Sequence, residues 1–96
     1  MIITKKIKFG KKCIEALMVK LQKKNLIVLR GKNGYIMCGY LNLKAAQKIN
    51  DVAVMIKGVS TINDALKTQV HSCTSAAKCL GIKDGQPIKE ILVIIA

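Results

Sequence analysis

The side chains of this 96-residue sequence that could hold a metal include four cysteines, one histidine and five carboxylates, and the cysteines could also act as nucleophiles. Cys38 has the most distinctive setting, because it ends a short apolar run that lies between two glycines and precedes a helical pattern. A strand that hands over to a helix leaves its last side chain at the carboxyl edge of a sheet, where ligand sites often form. We therefore predict a small-molecule site lined by Gly34, Tyr35, Cys38, Gly39 and Asn42.

The Cys38 thiol has two interpretations that the sequence leaves open. As a catalytic nucleophile it would act as the thiolate, which the dipole at the start of a following helix would favour. As a packing residue it would be buried and inert, which is the common role of a free cysteine. No acidic or basic residue lies near Cys38 in the sequence, so a catalytic partner would have to come from elsewhere in the fold or from another subunit.

The two glycines of this stretch have the same ambiguity. They could let a ligand approach the backbone, or they could serve a turn and a tight bend. The run Gly31-Lys32-Asn33-Gly34 is typical of a hairpin turn, because Asn-Gly tolerates the positive φ angles that such turns require.

Neither a metal nor a cofactor is predicted. His71, Cys73 and Cys79 have the spacing His-x-Cys-x5-Cys, which departs from the Cys-x2–4-Cys pairs of zinc sites and lacks a clear fourth ligand. No glycine-rich phosphate-binding string of the GxGxxG or P-loop type occurs.

The positive charge is concentrated in one half of the chain. The formal net charge is +12, with twelve basic residues and one acid in residues 1–48, against five bases and four acids in residues 49–96. This footprint suits nucleic-acid binding through phosphate neutralisation. However, Arg30 is the one arginine and only three residues are aromatic, so bidentate phosphate contacts and base stacking have little support. A lysine surface that keeps strand edges unpaired and the protein dissolved is the favoured interpretation.

The hydropathy pattern indicates a cytoplasmic protein without a membrane partner. The longest apolar run, Ile91–Ala96, is far shorter than the ~20 residues that span a bilayer. Lysines interrupt the first residues, unlike a signal peptide. The four cysteines are therefore interpreted as free thiols.

The order of the predicted elements indicates one α+β domain over residues 1–96. Alternating apolar residues predict strands over 2–9 and 12–21, and short apolar runs between turns predict strands over 26–30 and 35–38. Together these four strands are expected to form an antiparallel meander. A mixed β/α region follows, with helices capped by Asn42, Thr61 and Thr74, a buried strand over 52–57, and a last segment that could be helix or strand. We expect a two-layer sandwich with the short helices on one face of the sheet. The centre of 12–21 is apolar on both faces, so it needs a second layer or a second subunit.

Several short motifs from Asn33 onward resemble the YunC-like family, a small domain of unknown function. They are Gly34-Tyr35-Ile36-Met37-Cys38-Gly39-Tyr40-Leu41-Asn42, Gly58-Val59, Thr61-Ile62, Leu66, Thr74, Ala77, Leu80-Gly81-Ile82, Gly85 and Glu90-Ile91-Leu92. The resemblance implies an α+β domain whose N-terminal β region mediates tetramer formation, and it implies no known reaction, ligand or cofactor. We therefore expect a homo-oligomer, a tetramer assembled through residues 1–31, with residues 32–96 carrying the site. A thiol-dependent enzyme using Cys38 and a nucleic-acid-binding module are the alternatives.

Overall fold

The structure is a computed structural model that describes residues 2–38 and 42–96, apart from the side chain of Phe9. Six strands form one sheet in the order β1-β2-β3-β4-β5-β6. The strands are β1 (Ile2–Phe9), β2 (Lys12–Lys20), β3 (Asn25–Arg30), β4 (Tyr35–Met37), β5 (Ala53–Met55) and β6 (Ser72–Cys73). The helices are α1 (Leu43–Lys48), α2 (Ile62–Lys67), α3 (Ser75–Cys79) and α4 (Ile88–Ile95). No helix in these described ranges is long and apolar enough to cross a membrane.

The first four strands form the expected meander, in which each strand is antiparallel to the one before it. The connection through α1 brings the chain back to the starting end of β4, so that β5 runs parallel to β4. Strand β6 is the edge strand of the sheet and is antiparallel to β5. The α+β class and the N-terminal meander are thus confirmed, with one parallel pair in an otherwise antiparallel sheet.

The main core lies on one face of the sheet, where α2, α3 and α4 contribute apolar side chains. It includes Ile14, Ile27, Ile36 and Val54 from the strands. The helices add Ala65, Ala77, Ile88, Ile91 and Ile95, all of them inaccessible to solvent. The final segment is therefore a helix whose apolar stripe faces the sheet, which settles the alternative that the sequence left open.

One helix departs from the predicted single layer. Helix α1 packs Ala46 against Met37 and Ala53, which form a second, smaller cluster on the opposite face of the sheet. The reason is visible in β4, where Ile36 and Met37 point to opposite faces and both are buried. A strand that is apolar on both sides needs cover on both, and α1 supplies the second layer over β4 and β5.

The predicted helix caps are confirmed. The Asn42 side chain accepts a hydrogen bond from the Lys44 amide at 2.9 Å. Thr61 accepts from the Asp64 amide at 3.0 Å, and Thr74 accepts from the Ala77 amide at 3.2 Å. These side chains satisfy amides that have no partner within the first helical turn.

The turn between β3 and β4 differs from the prediction. Neither Asn33 nor Gly34 has a positive φ angle, so this is not the Asn-Gly turn expected from the sequence. The turn is closed by a bond from the Gly31 amide to the Gly34 carbonyl at 2.8 Å, and it is anchored to the end of α4 by a bond from the Asn33 amide to the Ile95 carbonyl at 2.7 Å. A Cβ atom on Gly31 would collide with the Ile95 carbonyl group and lie 2.9 Å from the Ala96 Cα. Glycine is needed here for close packing.

Candidate functional site

A cavity lies where β4 and β5 end. Because these strands are parallel, their carboxyl ends meet at one edge of the sheet. We call this cavity the strand-end cleft; its described lining residues are Lys23, Lys24, Asn25, Cys38, Lys57, Gly58, Val59 and Ser60. Its volume is about 790 Å³, within the range of about 300–1,000 Å³ that is usual for small-molecule sites.

Three chain segments build the cleft, and hydrogen bonds tie two of them together. The turn between β2 and β3 is closed by a bond from the Leu21 amide to the Lys24 carbonyl at 3.0 Å. The Asn25 side-chain amide donates to the Ser60 carbonyl at 2.7 Å, which joins this turn to the segment after β5. The Ser60 amide in turn donates to an Asp64 carboxylate oxygen at 3.2 Å. The spacing between these two walls is therefore fixed by polar contacts.

Cys38 forms the third segment and is 5% exposed. Its amide donates to the Ile27 carbonyl at 3.1 Å, and its Sγ accepts from the Ile27 amide at 3.4 Å. The sulfur thus occupies the place that a main-chain carbonyl has in a regular antiparallel ladder. No carboxylate or imidazole within residues 2–38 and 42–96 bonds to this sulfur, so the structure shows Cys38 with a backbone partner and without a general base.

The charge of the cleft comes from lysines. Lys23, Lys24 and Lys57 are all exposed, and none of the described lining residues is acidic. Asp64 is the one carboxylate that bonds to a described lining residue, through the Ser60 amide. Gly58 has a φ of +72°, and nothing lies within 4 Å of the position that a Cβ would occupy there. The cleft is therefore a cationic concavity with a buried sulfur in one wall.

The other residues predicted for the site lie elsewhere. Gly34 and Tyr35 are at the amino end of β4 and line a separate depression of about 280 Å³. The Tyr35 hydroxyl donates to Asp51 at 2.8 Å, and burial, followed by this carboxylate, raises the pKa of Tyr35 to about 12. Asn42 is occupied as the cap of α1. Gly39 lies outside the described residues, so Cys38 is the predicted residue that the structure places in the cleft.

Sequence reasoning missed the three lysines and Ser60. Gly58 ends the predicted buried strand over 52–57, so a site at the end of that strand had a local signal. The sequence did not indicate the parallel pairing of β4 with β5, which places the end of β5 beside Cys38. A pairing between two distant segments cannot be recognised from the residues of either segment alone.

The remaining cysteine and histidine side chains do not converge. His71 is exposed, with Nδ1 3.3 Å from the Ser72 hydroxyl. Cys73 is buried, and its thiol donates to Asp84 at 3.6 Å; burial, followed by this carboxylate, raises the pKa of the Cys73 thiol. Cys79 is exposed. Within the part of the chain that the structure describes, no three His, Cys, Asp or Glu side chains are grouped to hold a metal.

Comparison with known proteins relates the chain to a family of unknown function. The family model "Domain of unknown function (DUF1805)" matches residues 37–95. The "Uncharacterized protein YunC" of Bacillus subtilis is 39% identical in an alignment of 82 residues, and the match covers 81% of this chain and 81% of that protein. A crystal structure of a protein of unknown function from Thermoplasma acidophilum has a TM-score of 0.95 at 30% identity, covering 100% of this chain and 94% of that one. The chain therefore belongs to the DUF1805 family, and the YunC-like resemblance of its sequence is confirmed.

Proposed function

We propose that this protein binds a small molecule in the strand-end cleft. The observation that carries the proposal is the position of the cleft, at the joined carboxyl ends of two parallel strands. Open sheets bind ligands at such edges because backbone groups and side chains converge there. Cys38 would be a wall contact, offering a polarizable sulfur to the ligand.

Binding is favoured over thiol catalysis by the surroundings of Cys38. A catalytic cysteine needs a base or a cationic partner close to its sulfur. The described partner of Sγ is the Ile27 amide, and no lysine ammonium, imidazole or carboxylate within residues 2–38 and 42–96 bonds to this sulfur. Ligand contact needs no further group, so it is the simpler role for this side chain.

The test is to ask whether the protein retains a molecule after purification, and whether that depends on the cleft. Ser60→Trp places a large ring in the cleft, and the Ser60 hydroxyl makes no hydrogen bond within the described residues. Lys89→Trp is the control, on the exposed side of α4 away from the cleft. Native mass spectrometry should show a bound mass in the wild type and in Lys89→Trp, and its loss in Ser60→Trp. Equal retention by both variants would place the ligand elsewhere.

We also propose that the protein is a homo-oligomer, a tetramer, assembled through residues 1–31. Leu17, Val19 and Val28 share one face of the meander with Ile2, as the pairing register shows, and Ile2 is 66% exposed. Helix α1 packs over β4 and β5 on this face, and none of these four residues belongs to either core cluster. These apolar residues lie at one end of the face, next to the Glu15–Arg30 ion pair, and are thus available to a second copy of the chain.

The oligomer proposal is tested by sedimentation. The wild type should sediment as a multiple of 10.5 kDa. Leu17→Lys with Val28→Lys should dissociate it, while Val93→Lys, at an apolar position on α4 that is 54% exposed, should leave it assembled. A wild type that sediments as a 10.5 kDa particle at micromolar concentration would refute the proposal.

The setting we propose is the cytoplasm. All four cysteines are free, and Cys13 and Cys79 are exposed. Exposed thiols persist in a reducing compartment, which is the property of the cytosol that this chain fits.

A further inference from the structure

We infer that the ligand of the strand-end cleft carries a phosphate group, held by Lys23, Lys24 and Lys57. This inference rests on the proposed function and adds the chemistry of the ligand. It follows from the charge of the cleft, the main chain at Gly58 and the shape of the cavity.

The first argument is the sign of the charge. Three lysines from two separate segments line one cavity, against a single carboxylate that bonds to a lining residue. Lysine binds phosphate as a compact point charge, and several ammonium groups suit a dianion better than a singly charged carboxylate. Lys57 enters from the end of β5, whereas Lys23 and Lys24 come from the facing turn, so an anion in the cleft would be held from two sides.

The second argument is the main chain after β5. Gly58 has left-handed backbone geometry and open space in place of a side chain, which allows close approach to the backbone. Backbone amides around a residue of this geometry are a recurrent partner of bound anions.

The third argument is the shape of the site, which favours a small phosphorylated molecule over a nucleic acid. The cavity is a concave space of about 790 Å³ at the ends of two strands, which is the size of a small-molecule site. Single-stranded nucleic acids instead bind along extended grooves that follow the backbone of the strand.

The experiment must separate a site from the attraction of a protein with a net charge of +12. Inorganic pyrophosphate is titrated into isotope-labelled protein at physiological ionic strength, with amide chemical shifts as the readout. The cleft variant is Lys23→Gln, Lys24→Gln, Lys57→Gln. The control variant is Lys67→Gln, Lys78→Gln, Lys89→Gln, which removes the same charge from exposed positions outside the cleft.

We expect shifts at residues 57–60 and 23–25, and a dissociation constant raised about tenfold or more by the cleft variant. The control variant should raise it by less than about threefold, since screening weakens distant charges. An equal loss of affinity for pyrophosphate in both variants, or amide chemical-shift changes spread over the whole lysine surface, would overturn the inference. So would tighter binding of citrate than of pyrophosphate, or an oligonucleotide that binds this cleft more tightly than pyrophosphate does.

The outcomes also separate this inference from the proposed function. If Ser60→Trp abolishes retention of a molecule that contains no phosphorus, and pyrophosphate does not bind, the cleft is a site and the phosphate inference is wrong. If pyrophosphate binds elsewhere and Ser60→Trp changes no binding, the cleft is not a site and both fail.

Discussion

Replacing Thr74 with valine should be one of the most damaging near-isosteric changes in this protein. Thr74 is the one polar residue among the fully buried side chains of the described chain, with 1% exposure. Its hydroxyl accepts from the amides of Ala53 and Ala77, each at 3.2 Å, and donates to the Asp51 carbonyl at 2.7 Å. One oxygen thus joins β5, α3 and the segment between α1 and β5.

The expected cost follows from the groups that valine would leave without a partner. Ala53 and Ala77 are both fully buried, so their amides would lose their bonds without access to water. An unsatisfied buried donor costs about 1–3 kcal/mol, while Asp51 is half-buried and its carbonyl can find water. We expect a loss of about 3–4 kcal/mol, a large part of the ~5–15 kcal/mol that stabilises a typical domain. For a domain of this size the Tm should fall by about 15–25 °C.

The matched control is Thr74→Ser, which keeps the hydroxyl and removes one methyl group. It should cost about 1 kcal/mol. Urea unfolding followed by far-ultraviolet circular dichroism gives the free energy of unfolding for all three proteins. Valine and serine variants of equal stability would show that the hydroxyl is not the element that joins these three segments.

Three further predictions concern other parts of the molecule. Gly31→Ala should lower the free energy of unfolding by about 3 kcal/mol, because its Cβ would displace the end of α4 and break the bond from the Asn33 amide to the Ile95 carbonyl. The control Gly10→Ala, at a position with a φ of +63° and open space, should lower it by only about 1 kcal/mol. Urea unfolding that shows a larger loss for Gly10→Ala than for Gly31→Ala would contradict the close packing of Gly31 against Ile95. Because the pKa of Tyr35 is raised to about 12 in the folded protein, this hydroxyl loses its proton at a lower pH in the unfolded chain than in the folded protein. The free energy of unfolding should therefore fall as pH rises from 10 to about 12, and Tyr35→Phe should reduce the slope of stability against pH in this range. An unchanged slope would count against the contact of Tyr35 with Asp51. In native thiol labelling followed by peptide mass spectrometry, the exposed Cys13 and Cys79 should react before the buried Cys38 and Cys73; modification of Cys38 before Cys13 or Cys79 would contradict its burial in the cleft wall.

The features that the sequence predicted correctly are those with a local cause. Alternating apolar residues identify β1 and β2 because the side chains of a strand point to its two faces with a period of two. Asn42, Thr61 and Thr74 identify three helix starts because a cap bonds to amides two or three residues away.

The features that escaped prediction depend on distant segments. The second and third bonds of Thr74 go to Asp51 and Ala53, more than twenty residues away, and nothing next to Thr74 in the sequence indicates them. Gly31 reads as a turn residue, yet its constraint comes from Ile95 at the other end of the chain.

The candidate site shows the same division. Cys38 could be selected from the strand that precedes it, whereas Lys57 and the lysines of the β2–β3 turn join it only through the parallel pairing of β4 and β5. Conversely, Gly34 and Tyr35 are close to Cys38 in sequence but lie at the opposite end of the same strand.

The most direct test of the strand-end cleft is a crystal structure of the protein isolated from its own cells in buffers free of phosphate, sulfate and citrate. We predict electron density for a bound molecule between Lys57 and the β2–β3 turn, in contact with the Cys38 sulfur. A cleft that contains only water, with a co-purified molecule bound at another surface of the same crystal, would contradict the account.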